Sequence, residues 1–478
     1  MEGWLDGRRG LLAVLAAALF VELFMGLFFR FDLIDDAYIS LRYAKNFVEG
    51  GGLAYNGGEL VEGYSNFLWV MLLSSAFKLG FSMRFFALFF GLLSGVLSVL
   101  LLHAVCRDLG YGRDSCLTAC LFVVINPVVM YWFVSGMETG LYTFLVLSAV
   151  FLYFRGLRQG FFHPILPVAL FLASLARADG ILLAIATIAH YAFFRRANRV
   201  KAGLSWAWAV FLPYGAYILA KSAYYHSLLP NTFYAKVNLG GGFFVRGLIY
   251  FAFFVLTNLA SMLYFVRARL GGIKMSWPNL YIIALLSCFA GAYVFIGGDH
   301  MPVRLMVPFY FLFSLLVAPV FGGWIAEFAS KQKLLFACIL LMNLLINLTY
   351  NGSWLLIKRD VEAERKCVGL WLGEHLGKNA TIAVVEAGII PYYSGLRTID
   401  MCGLNDYELA RMNGVPDAFK AVPGHDRCNL GYGLSKSPDF VSYFGNNITQ
   451  YDVRYGPVEI ECDGREVVLY LKNATKYT

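Results

Sequence analysis

Charge is scarce in this sequence: Asp, Glu, Lys and Arg make up 15% of 478 residues, against 59% hydrophobic residues and a mean hydropathy of +0.63. That shortage excludes an ordinary soluble globular chain and makes membrane spans the first thing to count. The first apolar run, about 11–31, follows Arg8 and Arg9 but has no small-x-small cleavage site at its end, so a retained signal-anchor helix is expected rather than a cleaved leader. The segment "DDAYISLRYAKNF" has no counterpart in the second half, so the inverted repeat common in transporters is missing. No spacing of His, Cys, Asp and Glu specifies a metal by itself.

What is abundant is apolar sequence. Spans are expected at about 11–31, 82–105, 116–134, 138–155, 163–177, 180–194, 204–222, 247–266, 277–296, 303–325 and 333–350, which makes about 11 transmembrane helices. The two near 170 and 187 are short and form a tight, partly re-entrant hairpin in this reading. Residues 67–79 are apolar but too short to cross, and read as a juxtamembrane helix in the interface, where Trp69 fits.

The net charge of +8 is unevenly spread, with +10 on residues 1–350 and −2 on residues 351–478. With the N-terminus inside, Arg8/Arg9, Arg107/Arg113, Arg155/Arg158, Arg195/Arg196/Arg199/Lys201, Arg267/Arg269/Lys274 and Lys331/Lys333 all face the cytoplasm, as the positive-inside rule requires. This distribution speaks for membrane topology and against a nucleic-acid partner. The outer face then receives the first loop (residues 32–81), "VSGMET" (134–139), "ARADG" (176–180), "HSLLPNTFYAKVN" (226–238), "GGDHMPVR" (297–304) and the tail.

Two domains are expected: a transmembrane catalytic domain, residues 1–350, and an extracytoplasmic domain, residues 351–478, long enough for one small fold. In that tail, "ATIAVVEAGIIPYYSG" reads as a buried strand, a glycine turn and a following element. "PDAFKAV" and "SPDFVSYFG" read as short amphipathic pieces alternating with strand-like "GPVEIEC" and "REVVLYL". The expectation is a small α/β domain. Its cysteines, Cys367, Cys402, Cys428 and Cys462, either form up to two disulfides or remain thiols. Sequons at Asn347, Asn351, Asn379, Asn447 and Asn473 would be accessible outside.

The chemistry-bearing residues cluster in the outer segments. Helical spacing after the first span puts Asp35, Ile39, Arg42 and Asn46 on one face and Asp36, Tyr43 and Phe47 on a neighbouring one. Adjacent carboxylates near low dielectric repel, which raises one pKa and makes a usable base. The competing reading is that Asp35 and Asp36 cap the helix. Arg42 either binds an anionic group of a ligand or offsets the acidic pair, and Glu62 and Tyr64 are further binding candidates in the glycine-rich loop.

Lys236 and Arg304, with His300, suit a phosphate or pyrophosphate. Asp299 and His300 have a spacing compatible with divalent-metal ligation, and Glu138 and Asp179 emerge on the same side. The ion-pair alternative joins Asp299 to Arg304 and Asp179 to Arg177 or a helix terminus, and leaves Glu138 with an unidentified base.

The stretches "DDAYISLRYAKNFVEGGGLAYNGGELVEGYSNFLW", "SGMET", "LARADG", "LPNTFYAKV", "GGDHMPVRLMVP", "GIIPYYSGLRTIDMCGLND" and "PGHD" resemble, in order and over nearly the whole chain, the bacterial membrane glycosyltransferases related to the mycobacterial terminal arabinofuranosyltransferase and the ZomB-like proteins. The resemblance implies a mainly α, polytopic C-type glycosyltransferase (GT-C) fold with an active site opening outside the cytoplasm. It implies a polyprenyl-phosphate-linked sugar donor, inversion at the anomeric carbon, and a glycan, glycolipid or glycoprotein acceptor of the cell envelope. It places the general base on Asp35 or Asp36 and phosphate recognition on Lys236 and Arg304, with Asp299 near the site and Glu138 a weaker correspondence. No cofactor is required, since phosphate is already a good leaving group. Ala178 departs from the pattern, because relatives often have proline there. A transporter of a polar or lipid-linked substrate and a non-catalytic glycan-binding membrane protein are the competing classes.

Overall fold

The computed structural model describes residues 2–477 apart from 161–162, 195–199, 238–239, 260, 264–265, 267–275, 302, 328–329, 413–422, 445 and 463. The expected cytoplasmic cluster at Arg195, Arg196 and Arg199, the one at Arg267, Arg269 and Lys274, and the whole "PDAFKAV" piece lie outside the described residues. The chain divides into two units. The first is Met1–Phe31, Ala87–Ile218 and Phe244–Trp354; the second is Asp32–Phe86, Leu219–Phe243 and Leu355–Thr478. The second unit takes in the first outer loop and residues 219–243 as well as the tail.

The first unit is helical. Among the described residues four helices are long and apolar enough to cross a membrane: Arg8–Phe28, Met83–Asp108, Thr139–Gln159 and Trp277–Phe295. A fifth crossing results if Arg113–Val124 and Pro127–Val134, bent by 70°, count as one. Asn126 makes that bend: its side chain accepts from the amides of Val128 and Val129, and Pro127 starts the next helix.

The other expected spans fall on helices that are shorter or partly outside the described residues. Among them are Leu166–Ala176 and Gly180–Phe194, which pack together as the expected hairpin. Only 28% of the apolar Arg8–Phe28 window is buried, and Phe20, Phe24 and Leu27 project outward. An apolar helix bare on most of its circumference needs lipid around it.

Inside the unit, Val307–Glu327 packs along Arg113–Val124, with Phe122 and Phe313 edge to face at 5.9 Å. Gly247 touches the Val294 backbone where any Cβ would collide, so glycine there lets two helices approach closely. Asn347, a sequon expected to be accessible, is instead fully buried with its amide on the Asn343 carbonyl, because it lies on an inward face of the helix Ser330–His375.

The second unit carries a five-stranded sheet. Its strands are β1 (Thr381–Val384), β2 (Arg397–Asp400), β3 (Phe440–Ser442), β4 (Tyr455–Cys462) and β5 (Arg465–Lys472), in the order β2-β1-β3-β5-β4. β1 runs parallel to β2 and β3, while β5 is antiparallel to β3 and β4. The alternation in β1 decides the layers. Ile382 and Val384 face Val368, Leu372 and Leu376 of the long helix, whereas Ala383 and Val385 join Met401, Val441 and Tyr455 on the other face.

"SPDFVSYFG", read as an amphipathic piece, supplies β3 instead, because Phe440 and Val441 fill opposite faces of the sheet. All four tail cysteines are paired, Cys367 with Cys462 and Cys402 with Cys428. The helix Asp35–Val48 packs against Phe67–Lys78 and against Ile389–Ser394.

Candidate functional site

Candidate residues fall into two groups, one in each unit. In the second unit, Asp35 opens the helix Asp35–Val48 and is buried. Its two carboxylate oxygens accept from consecutive backbone amides, Gly388 at 3.1 Å and Ile389 at 2.8 Å. Gly388 is required here, since a Cβ would strike the Asp35 backbone carbonyl. Burial pushes the Asp35 pKa upward; Arg365 and the Ile389 amide oppose that, and Asp36 and Glu386 add to it.

Arg365, on the long helix, acts on this carboxyl through its charge, bonds Glu386 at 2.8 Å and lies 3.6 Å from Glu362. Burial lifts Glu362 to about 7, against Arg365 and Lys358 and with help from Asp35. Asp36, one residue on, is half-buried. The doublet is therefore differentiated: one carboxyl is locked into the fold and its neighbour lies nearer the surface.

Arg42 is committed to the protein. It donates to the Tyr55 carbonyl at 2.8 Å, the Leu396 carbonyl at 2.7 Å, the Pro391 carbonyl at 2.5 Å and Asn56 Oδ1 at 3.1 Å. Such a buried guanidinium ties the first loop to the tail. Glu62 is buried and accepts from Lys221 Nζ at 2.6 Å. Burial raises the Glu62 pKa, and Lys221 lowers it. The Tyr64 hydroxyl pairs with that of Tyr225 at 3.2 Å. Lys236 ends the short helix Asn231–Lys236 and is half-buried.

The first unit holds Glu138, Asp299, His300 and Arg304, and draws three expected outer segments together. Arg177 bonds Asp179 at 2.9 Å and Glu138 at 3.1 Å, and Asp179 also accepts from the Tyr293 hydroxyl at 3.0 Å. Arg304 bonds Asp299 at 2.7 Å and contacts the Met137 sulfur at 3.6 Å. The ion-pair alternative thus describes Asp299 and Asp179, and Arg177 is the base that Glu138 had been missing. His300 Nδ1 lies 3.3 Å from Asp299, but a guanidinium occupies the same carboxylate, and among the described residues no three His, Cys, Asp or Glu side chains converge as a metal site.

Arg365, Glu362 and Lys221 were not singled out from the sequence. Lys221 sits near the end of the apolar helix Val200–Tyr225, where a lone charge signals a buried partner, and that was the available clue.

The domain family DUF8728, a domain of unknown function, matches residues 357–470, the part that holds the sheet. No curated protein sequence matches the chain. Solved structures do resemble it. ArnT from Cupriavidus metallidurans, bound to undecaprenyl phosphate, superposes with a TM-score of 0.59 at 12% identity, over 98% of each chain. The oligosaccharyltransferase AglB from Archaeoglobus fulgidus, in complex with an inhibitory peptide and a dolichol-phosphate, gives 0.55 at 11% identity, over 97% of this chain and 74% of AglB. The same archaeal enzyme tethered to an acceptor peptide containing the NVT sequon gives 0.56 at 12% identity, over 98% of this chain and 74% of that one.

The chain has the GT-C fold. In GT-C terms the first unit supplies the apolar helices, and the second gathers the first loop with the C-terminal sheet. At these identities the likeness establishes architecture.

Proposed function

We propose that this protein is an inverting glycosyltransferase that moves a sugar from a polyprenyl-phosphate donor to a hydroxyl-bearing acceptor of the cell envelope on the outer membrane face. The observation that carries the reading is the carboxylate doublet at the head of the first-loop helix in a chain of GT-C architecture: Asp35 anchored by two backbone amides, Asp36 beside it and half-exposed. Neighbours of the same architecture bound to undecaprenyl phosphate and to dolichol-phosphate support a polyprenyl carrier. Two disulfides in the tail, against five free cysteines all in the first unit, support an oxidising compartment for the tail and hence the orientation read from the basic loops.

Asp36 acts as the base in this reading, and Asp35 positions it. The acceptor hydroxyl attacks the anomeric carbon as the bond from that carbon to the phosphate oxygen breaks, and the hydroxyl proton passes to Asp36. The electron pair of the broken bond leaves on the lipid phosphate, whose charge a cation stabilises; Lys236 is assigned that role. Arg42 and Glu62 hold the loop rather than the ligand, since their hydrogen bonds go to protein groups. Arabinofuranose, suggested by the sequence resemblance, is the first donor sugar to try.

The test is transfer by purified protein in lipid, with a panel of polyprenyl-phosphate sugars and envelope glycan acceptors. Release of polyprenyl phosphate with an inverted glycosidic product is the expected result. Absence of transfer from every lipid-linked donor, with uptake of any of them into sealed vesicles, would replace the transferase by a transporter.

A further inference from the structure

A polar cleft that the doublet does not line lies at the edge strand of the C-terminal sheet. It measures about 310 Å³, at the small end of ligand-binding clefts, and is lined by Glu59, Arg397, Asp406, Tyr407, Tyr432 and Lys436 among others. We propose that this cleft binds a neutral glycan, with room for a mono- or disaccharide unit.

The charges choose the ligand class. Arg397 bonds Glu59 at 2.6 Å, and Lys436 bonds Glu408 at 2.7 Å, so the cations that a phosphate would need are already matched by carboxylates. Two of the carboxylates that a cationic ligand would need, Glu59 and Glu408, are matched in the same way, and the third, Asp406, accepts from the Tyr432 hydroxyl and the Leu409 amide. What the cleft offers is a mixture of donors and acceptors with little net charge. A sugar hydroxyl both donates and accepts, and suits that mixture; an anion or a cation suits it poorly.

The aromatic side chains add a platform. Tyr407 is 49% exposed, while Arg411 stacks 3.7 Å from its ring centre and fixes it. The Tyr432 hydroxyl donates to Asp406 at 2.8 Å, and Lys436 lies 5.0 Å from its ring centre. Rings held in place lose little entropy when a ligand arrives, and tyrosine combines an apolar face with a polar edge as a pyranose or furanose does.

The cleft also has a built floor. Asp406 caps the helix Tyr407–Ala410 through the Leu409 amide, and the disulfide Cys402–Cys428 closes the chain on both sides of it. That the bound glycan is the acceptor rests on the transferase reading; that a glycan binds here does not.

The experiment measures binding and transfer separately on the full chain in nanodiscs. Di- to hexasaccharide fragments of arabinan, mannan and galactan are titrated against wild type, Tyr407→Ala and Arg397→Ala, both changes being at exposed side chains outside the doublet. Binding of at least one fragment is expected, weakened roughly tenfold in each variant at unchanged Tm. In transfer assays the acceptor KM rises in proportion while kcat and the donor KM stay as in wild type.

Binding lost in the variants without any transferase activity in wild type supports the cleft and removes the acceptor role. Failure of every fragment to bind, or binding indifferent to both substitutions, overturns the proposal. Tighter binding of a phosphorylated or cationic sugar than of its neutral parent would also overturn it.

Discussion

The carboxylate of Asp35 and the backbone amide of Ile389 meet at 2.8 Å across 354 residues of sequence. A side chain at the head of the first-loop helix thus serves as the anion for a turn of the C-terminal sheet domain. The two members of the doublet should therefore fail in different ways. Asp36→Asn is expected to lower kcat by about 10²–10⁴-fold with Tm and donor KM unchanged. Asp35→Ala should lower Tm and loosen the tail, measured by limited proteolysis, before any kinetic effect is interpreted. Gly388→Ala should reproduce the Asp35→Ala stability loss, because its Cβ enters the same space. Full transfer by Asp36→Asn would move the base elsewhere.

Glu362 gives a pH signature. Its folded pKa is raised from an ordinary 4.5 to about 7. Between those values the folded state holds more protons than the unfolded chain, so stability falls as pH rises through that window and stays low above it. Glu362→Gln removes the titration. Thermal unfolding in detergent should show the variant more stable than wild type at pH 8, with the difference vanishing below pH 4.5. A difference that grows toward acid would contradict the burial-driven shift.

Hydropathy made a polytopic, mainly helical membrane chain legible in advance, because lipid exposure imposes a composition that no local rule overrides, whereas the GT-C class came from the motif resemblance. The tail was legible to the level of three of its strands, with β2 and β3 missed: runs of four and three residues, mostly buried, have no alternation to read. The doublet was visible, but not its division of labour. Asp35 and Asp36 are equivalent in sequence, and only a partner 354 positions away distinguishes them. Likewise Arg42 reads as a ligand-binding cation until its acceptors appear, four of them protein oxygens contributed by Tyr55, Asn56, Pro391 and Leu396.

Arg177 faces both Glu138 and Asp179, and its side chain is largely buried. Arg177→Ala would leave the buried Glu138 and the half-buried Asp179 without their shared cation, a loss on the order of 3–5 kcal/mol. Arg177→Lys keeps the charge but cannot span both carboxylates as a fork does, so it should be intermediate. Thermal melts of the two variants check the order. If both match wild type, the cluster contributes nothing to stability.

The disulfides turn topology into a measurement. Cys367 and Cys462, 95 positions apart, clamp the long helix to β4 at a Cα separation of 5.8 Å. Closing so long a loop restricts the unfolded chain, an effect of about 2–4 kcal/mol. Non-reducing peptide mapping of protein purified from membranes should recover Cys367 linked to Cys462 and Cys402 linked to Cys428. Cys106, Cys116 and Cys120, all buried in the first unit, should be alkylated only after denaturation. The Cys367→Ser variant should then melt earlier in oxidising buffer and match wild type under reducing conditions. Recovery of all four tail cysteines as free thiols would instead place the sheet domain on the cytoplasmic side, and with it the doublet that shares its unit.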